Sequence, residues 1–274
     1  MAQLGFAQSA GSVYEWPVRF LLYNIRYGTG TGYGFHFPIP YRGYLRLTRK
    51  NLQRLTQFIK TQQPDLVGLI EADAGSFRTR RENQVETIAH ALGHYHAYQS
   101  KYAHYSRARR LPVLNKQVNA LLTKDAITAQ RFHYFRSGVK RLVIEMELEN
   151  LVIFLVHLSL RHKTRHEQLR ALARLVNAVR KPCLVAGDFN AFRGPQELEL
   201  LLARTGLRHA ANSALATYPS WAPRRQLDFI LHSPEIRITK FSAPNITLSD
   251  HLPLVCDFDV RPAREAAGKT RLAG

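Results

Sequence analysis

The stretch KPCLVAGDFN, residues 181–190, holds an apolar run that stops abruptly and is followed by Asp188 and Asn190. The pattern recurs: FLLY runs up to Asn24, DLVGLI up to Glu71 and LVIFLV up to His157. Apolar runs of this length read as buried strands, so strand ends are being used as a shared mount for residues that bind metals or phosphates. Two further pieces, LDFIL with Asp228 and SDHLP with Asp250 and His251, add carboxylate and imidazole to a chain otherwise short of acid.

Charge says what such a mount would need. Glu71, Asp188, Asp228 and Asp250 could not gather ionised in one pocket without compensation, because like charges a few ångströms apart repel strongly in a partly dry site. A divalent cation supplies that compensation. Mg²⁺ takes hard oxygen ligands, keeps several waters and binds substrate phosphate, so one or two carboxylates with an Asn suffice. His157 and His251 are then better used for proton transfer or phosphate contact than as ligands.

At these positions the chain resembles the endonuclease/exonuclease/phosphatase superfamily, which includes DNase I-like nucleases and neutral sphingomyelinases. The resemblance is carried, in order, by LLYNIR, PDLVGLIEAD, VNALLTK, VIFLVHLS, LVAGDFNAF, RRQLDFILHS and LSDHLPLVCDF, between Val18 and Phe258. A G-D-x-N tetrapeptide alone is equally a strand followed by a turn, Asp228 alone an ordinary strand-end acid, Asn24 alone a turn residue and His157 alone a core histidine. The ordered set is what points to the family.

The resemblance implies a four-layer αββα sandwich of the DNase I-like kind with its site at one edge of the sheets. It implies a metal site of Glu71, Asn24 and Asp250, filled by Mg²⁺ with Mn²⁺ as a substitute. It implies that Asp188 and Asn190 orient the attacking water and hold the scissile phosphate, that His251 contacts the phosphate or the water, and that Asp228 orients His251. If the strand continued through GDFN, Asp188 and Asn190 would point the same way. His157, followed by Leu158, resembles the His-Leu of nonspecific nucleases, sphingomyelinases and several phosphatases rather than the tyrosine-bearing segment of abasic-site endonucleases, and suggests a general-acid or leaving-group role. Asn119, in VNALLTK, fills a position the family places near the site. TYPSW, residues 217–221, is similar to a segment of small bacterial-type members of the superfamily.

Composition bounds the partner. The chain has 274 residues, 45% of them hydrophobic, with 39 Lys and Arg against 20 Asp and Glu and a formal net charge of +19. That length buries a full core, and that field draws in polyanions: nucleic acid, anionic lipid headgroups or phosphorylated small molecules. Tyr27, Tyr33, Phe35, His36, Phe37, Tyr41 and Tyr44 are interleaved with Gly and Pro in a loop after Asn24, suited to a lid, to a membrane interface or to stacking on unpaired bases, or simply packed on its own rings. A second basic and aromatic segment includes Tyr105 and Arg107, candidates for substrate phosphate contact or a solvated loop.

The expected organisation is a flexible start over 1–16, one catalytic domain over 17–260 and a flexible tail over 261–274. Cys183 and Cys256 lie in apolar runs and read as buried thiols rather than a disulfide framework. The N-terminus is not a persuasive signal peptide and no run is long enough to cross a bilayer, so the expectation is a cytoplasmic monomer, able to sit at a membrane surface. Helices are expected after Thr48 with Leu52, Leu55, Phe58 and Ile59 inward, after Thr164 with Glu167 closing a capping box, and from Pro195 to Gly206. KRLVIEMEL should pair with LVIFLVHL across the turn at Glu149 and Asn150. The function expected is Mg²⁺-dependent hydrolysis of a phosphodiester by an activated water. Its substrate would be a phospholipid or phosphoinositide headgroup, with a DNase I-like nuclease acting on DNA or RNA as the alternative.

Overall fold

The structure, a computed structural model, describes residues 17–31, 48–101, 113–138 and 140–260. The terminal segments, most of the aromatic loop, and the segment with Tyr105 and Arg107 lie outside the described residues. Each sheet is organised around a strand–helix–strand unit. β1 (Val18–Asn24) leads through α1 (Arg49–Thr61) to the parallel neighbour β2 (Leu66–Asp73). Parallel pairing of consecutive strands needs such a crossover. In the second half of the chain, β7 (Val152–His157) leads through α3 (His162–Ala178) to the parallel β8 (Cys183–Asp188).

Antiparallel strands complete both sheets. The first runs β11-β12-β1-β2-β4-β3, adding β3 (Tyr95–Ser100), β4 (Gln117–Thr123), β11 (Ile236–Ser242) and β12 (Leu254–Val260). The second runs β5-β6-β7-β8-β10-β9, adding β5 (Ala129–Tyr134), β6 (Leu142–Glu147), β9 (Arg208–His209) and β10 (Asp228–His232). β6 and β7 form the expected pair, with Glu147 opposite Val152.

Alternation along the strands explains why their apolar runs are continuous. Phe20 and Leu22 face the second sheet, where Ile153, Leu155 and Ala186 meet them, while Leu21 and Tyr23 face Leu52, Leu55 and Ile59 of α1. On the other side Val152, Phe154 and Val156 pack under Leu169, Leu172 and Val176 of α3. A strand covered on both faces needs apolar residues at every position. The four layers are therefore helices, sheet, sheet, helices, the sandwich the resemblance implied. Cys183 and Cys256 are buried free thiols.

Three local expectations are corrected. α3 starts at His162, not after Thr164, and Glu167 accepts a hydrogen bond from Ser137 Oγ (2.8 Å) instead of closing a capping box. The third expected helix opens with a 3₁₀ turn, Pro195–Leu198, before α4 (Glu199–Thr205), which ends at Gly206 in the left-handed region. A further helix, α2 (Gln84–Leu92), lies between β2 and β3, capped by the Asn83 side chain and stopped by left-handed Gly93. Its signals, an Asn before Val85, Ile88 and Ala89 and a Gly after Leu92, were present in the sequence.

Candidate active site

Register builds the site before any side chain is considered. In the second sheet His157 lies beside Asp188 and Asp188 beside Asp228, so three functional residues form one row across β7, β8 and β10. Gly187 allows that row to close, because a Cβ there would sit 1.9 Å from the Val156 carbonyl oxygen. In the first sheet, Asn24 ends β1 at the same edge, and its Nδ2 donates to Asp188 Oδ2 (3.2 Å), tying the two sheets together at the site.

Two residues hold strained backbone. Glu71 has φ +56 and sits where the pairing of β2 with β4 slips between Leu69 and Ala72. The bulge turns its side chain to the sheet edge, and the Asn119 side chain holds it by accepting the Glu71 N–H (3.2 Å). Asn190 has φ +51, a conformation Asn tolerates better than most residues. The strand ends at Asp188, so Asp188 and Asn190 do not alternate as strand neighbours; Asn190 N–H caps Asp188 Oδ1 (3.0 Å) while its Nδ2 donates to the Leu158 carbonyl (3.0 Å).

The last motif is fixed by the segment before β10. Ser220 N–H donates to the Asp250 carbonyl and Leu252 N–H to the Thr217 carbonyl, both at 2.8 Å. Ser249 Oγ donates to the Asn24 carbonyl (2.7 Å). His251 is thereby set with its Nδ1 donating to Asp228 Oδ2 (2.7 Å), which also accepts from Thr217 Oγ1 (2.6 Å). The Tyr218 ring lies 5.0 Å from the His251 ring.

Electrostatics follow from this packing. Burial opposes charge on His251, but Asp228, then Asp188 and Asp250, raise its pKa to about 10, leaving it an imidazolium at neutral pH. Burial would also push Asp188 up, yet the facing His157, His251 and Lys140 hold it well below the usual carboxylate range. His157 goes the other way: burial and then Lys140 depress its pKa to about 4, leaving a neutral ring. Its Nε2 lies 3.2 Å from Asp188 Oδ2 and contacts Lys140 Nζ. Burial opposes ionisation of Glu71, but Lys101 and Lys140 bring it to about 2.

The structure brings together Asn24, Glu71, Asn119, His157, Asp188, Asn190, Asp228 and His251. Asp250, whose charge acts on His251, has its carboxylate 3.4 Å from Arg26 Nε. Tyr105 and Arg107 fall outside the described residues. Lys101, Lys140 and Thr217 were missed by the sequence reading. Thr217 lay in the TYPSW segment and Lys101 opens the second basic and aromatic segment, whereas nothing near Lys140 distinguishes it from the many other basic residues.

The donors fit a hard divalent cation. The Glu71 carboxylate lies 3.8 Å from Lys140 Nζ and 3.9 Å from His157 Nε2, too far for a hydrogen bond to either. Asp228 Oδ1 is buried without a protein partner, and carboxylate oxygens of Asp188 and Asp228 lie within 4.8 Å of each other.

A model of the endonuclease/exonuclease/phosphatase family matches residues 21–251. The chain belongs to that family. It is accordingly a hydrolase acting on phosphoester bonds. No curated protein matches the sequence. Among solved structures, an endonuclease/exonuclease/phosphatase family protein from Bacteroides thetaiotaomicron shares 14% identity, with a TM-score of 0.69 over 92% of this chain and 98% of that one. The human nocturnin catalytic domain, solved with a sulfate anion, shares 20% identity, with a TM-score of 0.64 over 89% of this chain and 94% of that one. A mannosyl-6-phosphatase from Bacteroides thetaiotaomicron shares 14% identity, with a TM-score of 0.64 over 88% of this chain and 99% of that one. At such identities these likenesses speak for the fold. No helix among the described residues is long and apolar enough to cross a membrane.

Proposed function

We propose that this family member is a Mg²⁺-dependent phosphodiesterase, with Mn²⁺ able to substitute, and that residues 17–260 are its catalytic domain. The observation that carries the reading is the His251–Asp228 pair, 2.7 Å apart, beside an ionised Asp188, with Glu71 reached from Asp188 through His157.

A divalent ion held by Glu71 and Asn24, with Asp250 or its hydrogen-bonded waters, would polarise a phosphoryl oxygen and offset the crowded carboxylates. Asp188, held ionised, accepts a hydrogen bond from the attacking water and orients it. Asn190 fixes the Asp188 carboxylate through its backbone N–H. His251, held charged and oriented by Asp228, donates through Nε2 to a phosphoryl oxygen on which charge develops. His157, neutral in this environment, acts as a hydrogen-bond acceptor in the chain as it stands, and serves the leaving group as an acid only after taking up a proton.

Of the two substrate classes, nucleic acid has the better support among the described residues. Phe192, 37% exposed and two residues beyond Asn190, carries the Arg225 guanidinium 5.5 Å from its ring centroid. Trp221, 42% exposed, lies in the same segment as Tyr218. Exposed planar groups beside a phosphoester site suit base stacking, and a charge of +19 suits a polyanion. The phospholipid reading rests on the His157-Leu158 likeness, on the aromatic loop, which lies outside the described residues, and on the same basic charge, so the exposed rings are what favour nucleic acid.

The test is turnover with MgCl₂ on a panel of single- and double-stranded DNA, RNA, sphingomyelin, cardiolipin and inositol phosphates. Liposome co-sedimentation and nucleic-acid gel shift run in parallel. Hydrolysis of a nucleic acid that EDTA abolishes is the expected result; hydrolysis of lipid alone would reverse the substrate assignment, and EDTA-resistant turnover would defeat the metal reading.

A further inference from the structure

A second cluster of metal-binding side chains stands outside the catalytic centre. His162 and His166 are four residues apart on α3, so their rings share one helix face, and they lie 4.3 Å apart centroid to centroid. Glu197, in the 3₁₀ turn before α4, reaches the same face. His162 Nε2 is 3.6 Å from Glu197 Oε2 and His166 Nε2 is 3.9 Å from the same oxygen.

Those separations are too long for hydrogen bonds. They are close to the spacing around a shared ion: ligand bonds of about 2.0–2.1 Å in a tetrahedron place neighbouring donor atoms about 3.3 Å apart. A second observation points the same way, for His166 Nε2 is shielded from solvent and has no hydrogen-bond partner in the protein. A buried ring nitrogen without a partner is costly unless something binds it. We propose that His162, His166 and Glu197 form a binding site for a late first-row transition ion, of which Zn²⁺ is the natural representative.

The surroundings select the kind of ion. Glu197 Oε2 accepts from Arg165 Nε (3.0 Å) and Nη2 (2.5 Å), and Oε1 from the Arg193 N–H (2.8 Å). With Arg165 balancing Glu197, the cluster has little net negative charge to attract Mg²⁺ or Ca²⁺. Two imidazoles offer nitrogen lone pairs, which favour Zn²⁺, Ni²⁺ or Cu²⁺ and leave Mg²⁺ to the oxygen-rich catalytic centre. Both Arg165 donors lie on Oε2 and Arg193 on Oε1, so an ion bound beside the histidines takes the place of one Arg165 N–H on Oε2 or uses the open position of Oε1. Because Arg165 also donates to the Ser159 and Leu160 carbonyls (2.9 and 3.0 Å), the ion would sit on the junction that braces the segment following His157.

Calorimetric titration of metal-stripped protein with ZnCl₂ tests the site, using Glu71→Gln as the background to diminish uptake at the catalytic centre. One zinc per chain should bind in that background and should resist millimolar MgCl₂. Adding His162→Gln and His166→Gln should weaken that event at least tenfold while leaving the circular dichroism spectrum unchanged. CoCl₂ should give a visible absorption band in the background protein that the two Gln substitutions remove, a readout independent of turnover. Zinc uptake and a cobalt band that persist unchanged in the doubly substituted protein, or no zinc uptake in the background, would overturn the proposal. If the substituted protein fails to fold, His166→Asn alone, which is smaller and polar, gives the same reading through the cobalt band.

Discussion

Glu71 and Asp73 stand two residues apart on one strand and live in opposite circumstances. Asp73 is fully buried and saturated: its carboxylate accepts from Ser76 N–H (2.7 Å), Ser76 Oγ (2.6 Å), Arg78 Nη2 (2.6 Å) and Arg78 Nε (3.1 Å). Glu71 keeps 17% of its side chain exposed, has left-handed backbone and lies 3.8 Å from Lys140 Nζ, beyond hydrogen-bond reach. The saturated carboxylate has no capacity left for a ligand and acts as a brace. The open one is charged, aimed and short of partners, which is the condition of a binding group. Within one family site, the difference between structural and functional acid is hydrogen-bond satisfaction rather than burial or charge.

The sharpest way to break this comparison is to remove function without touching the brace. Asp188→Ala, like EDTA treatment of the wild type, should lower turnover by roughly 10³–10⁴-fold, with the thermal midpoint little changed; a calorimetric melt beside the kinetics checks both halves. The converse change, Asp73→Ala, leaves the Arg78 guanidinium buried without its counter-ion. It should cost about 3–5 kcal/mol of stability by urea unfolding, while turnover per folded molecule survives.

Asp228→Asn sits between these extremes. It keeps the shape around His251 but cannot hold the charged ring, and it should cost about 10²-fold in turnover and flatten the pH profile. The smallest effect concerns pH and stability. His157 titrates at its ordinary 6.5 when unfolded and at about 4 when folded, so only the unfolded chain takes up its proton between those values. Stability is then full above pH 6.5 and falls toward pH 4, by at most about 3 kcal/mol from this residue. His94, His209 and His232 are depressed by burial as well and act in the same direction. His251, raised to about 10, does the opposite: its contribution is complete below 6.5 and fades as pH rises toward 10. Denaturant midpoints across pH should therefore peak near neutrality, and a curve rising steadily into acid would contradict the neutral, buried His157.

Much of the site was legible because strand ends leave a mark in sequence. Apolar runs covered on both faces stop where the strands reach the site, so Asn24, Glu71, His157 and Asp188 announce themselves as the first polar residues after FLLY, DLVGLI, LVIFLV and CLVAG. The helix after Thr48 declared itself by periodicity. α2 was passed over although Asn83 and Gly93 bracket it, because its short apolar face resembles a loop when the caps are not weighed. The start of α3 was misplaced since the TRHE tetrapeptide carries a capping pattern, whereas the chain instead spends Arg165 on the carbonyls of Ser159 and Leu160 and on Glu197.

By itself the sequence determined the two sheets, the helices that flank them and the roster of chemically able residues, because local periodicity and the order of motifs depend on near neighbours alone. Only the tertiary structure decided which of those residues are free to act. The row His157–Asp188–Asp228 comes from strand register, the exposure of Glu71 from a bulge pinned by Asn119, and the charge on His251 from a carboxylate 23 residues away in sequence. Lys140 looks like any other basic residue until folding brings it, with Lys101, against Glu71. Protonation and hydrogen-bond satisfaction are set by distances of a few ångströms between segments remote in the chain, and those distances exist only once the two sheets have packed.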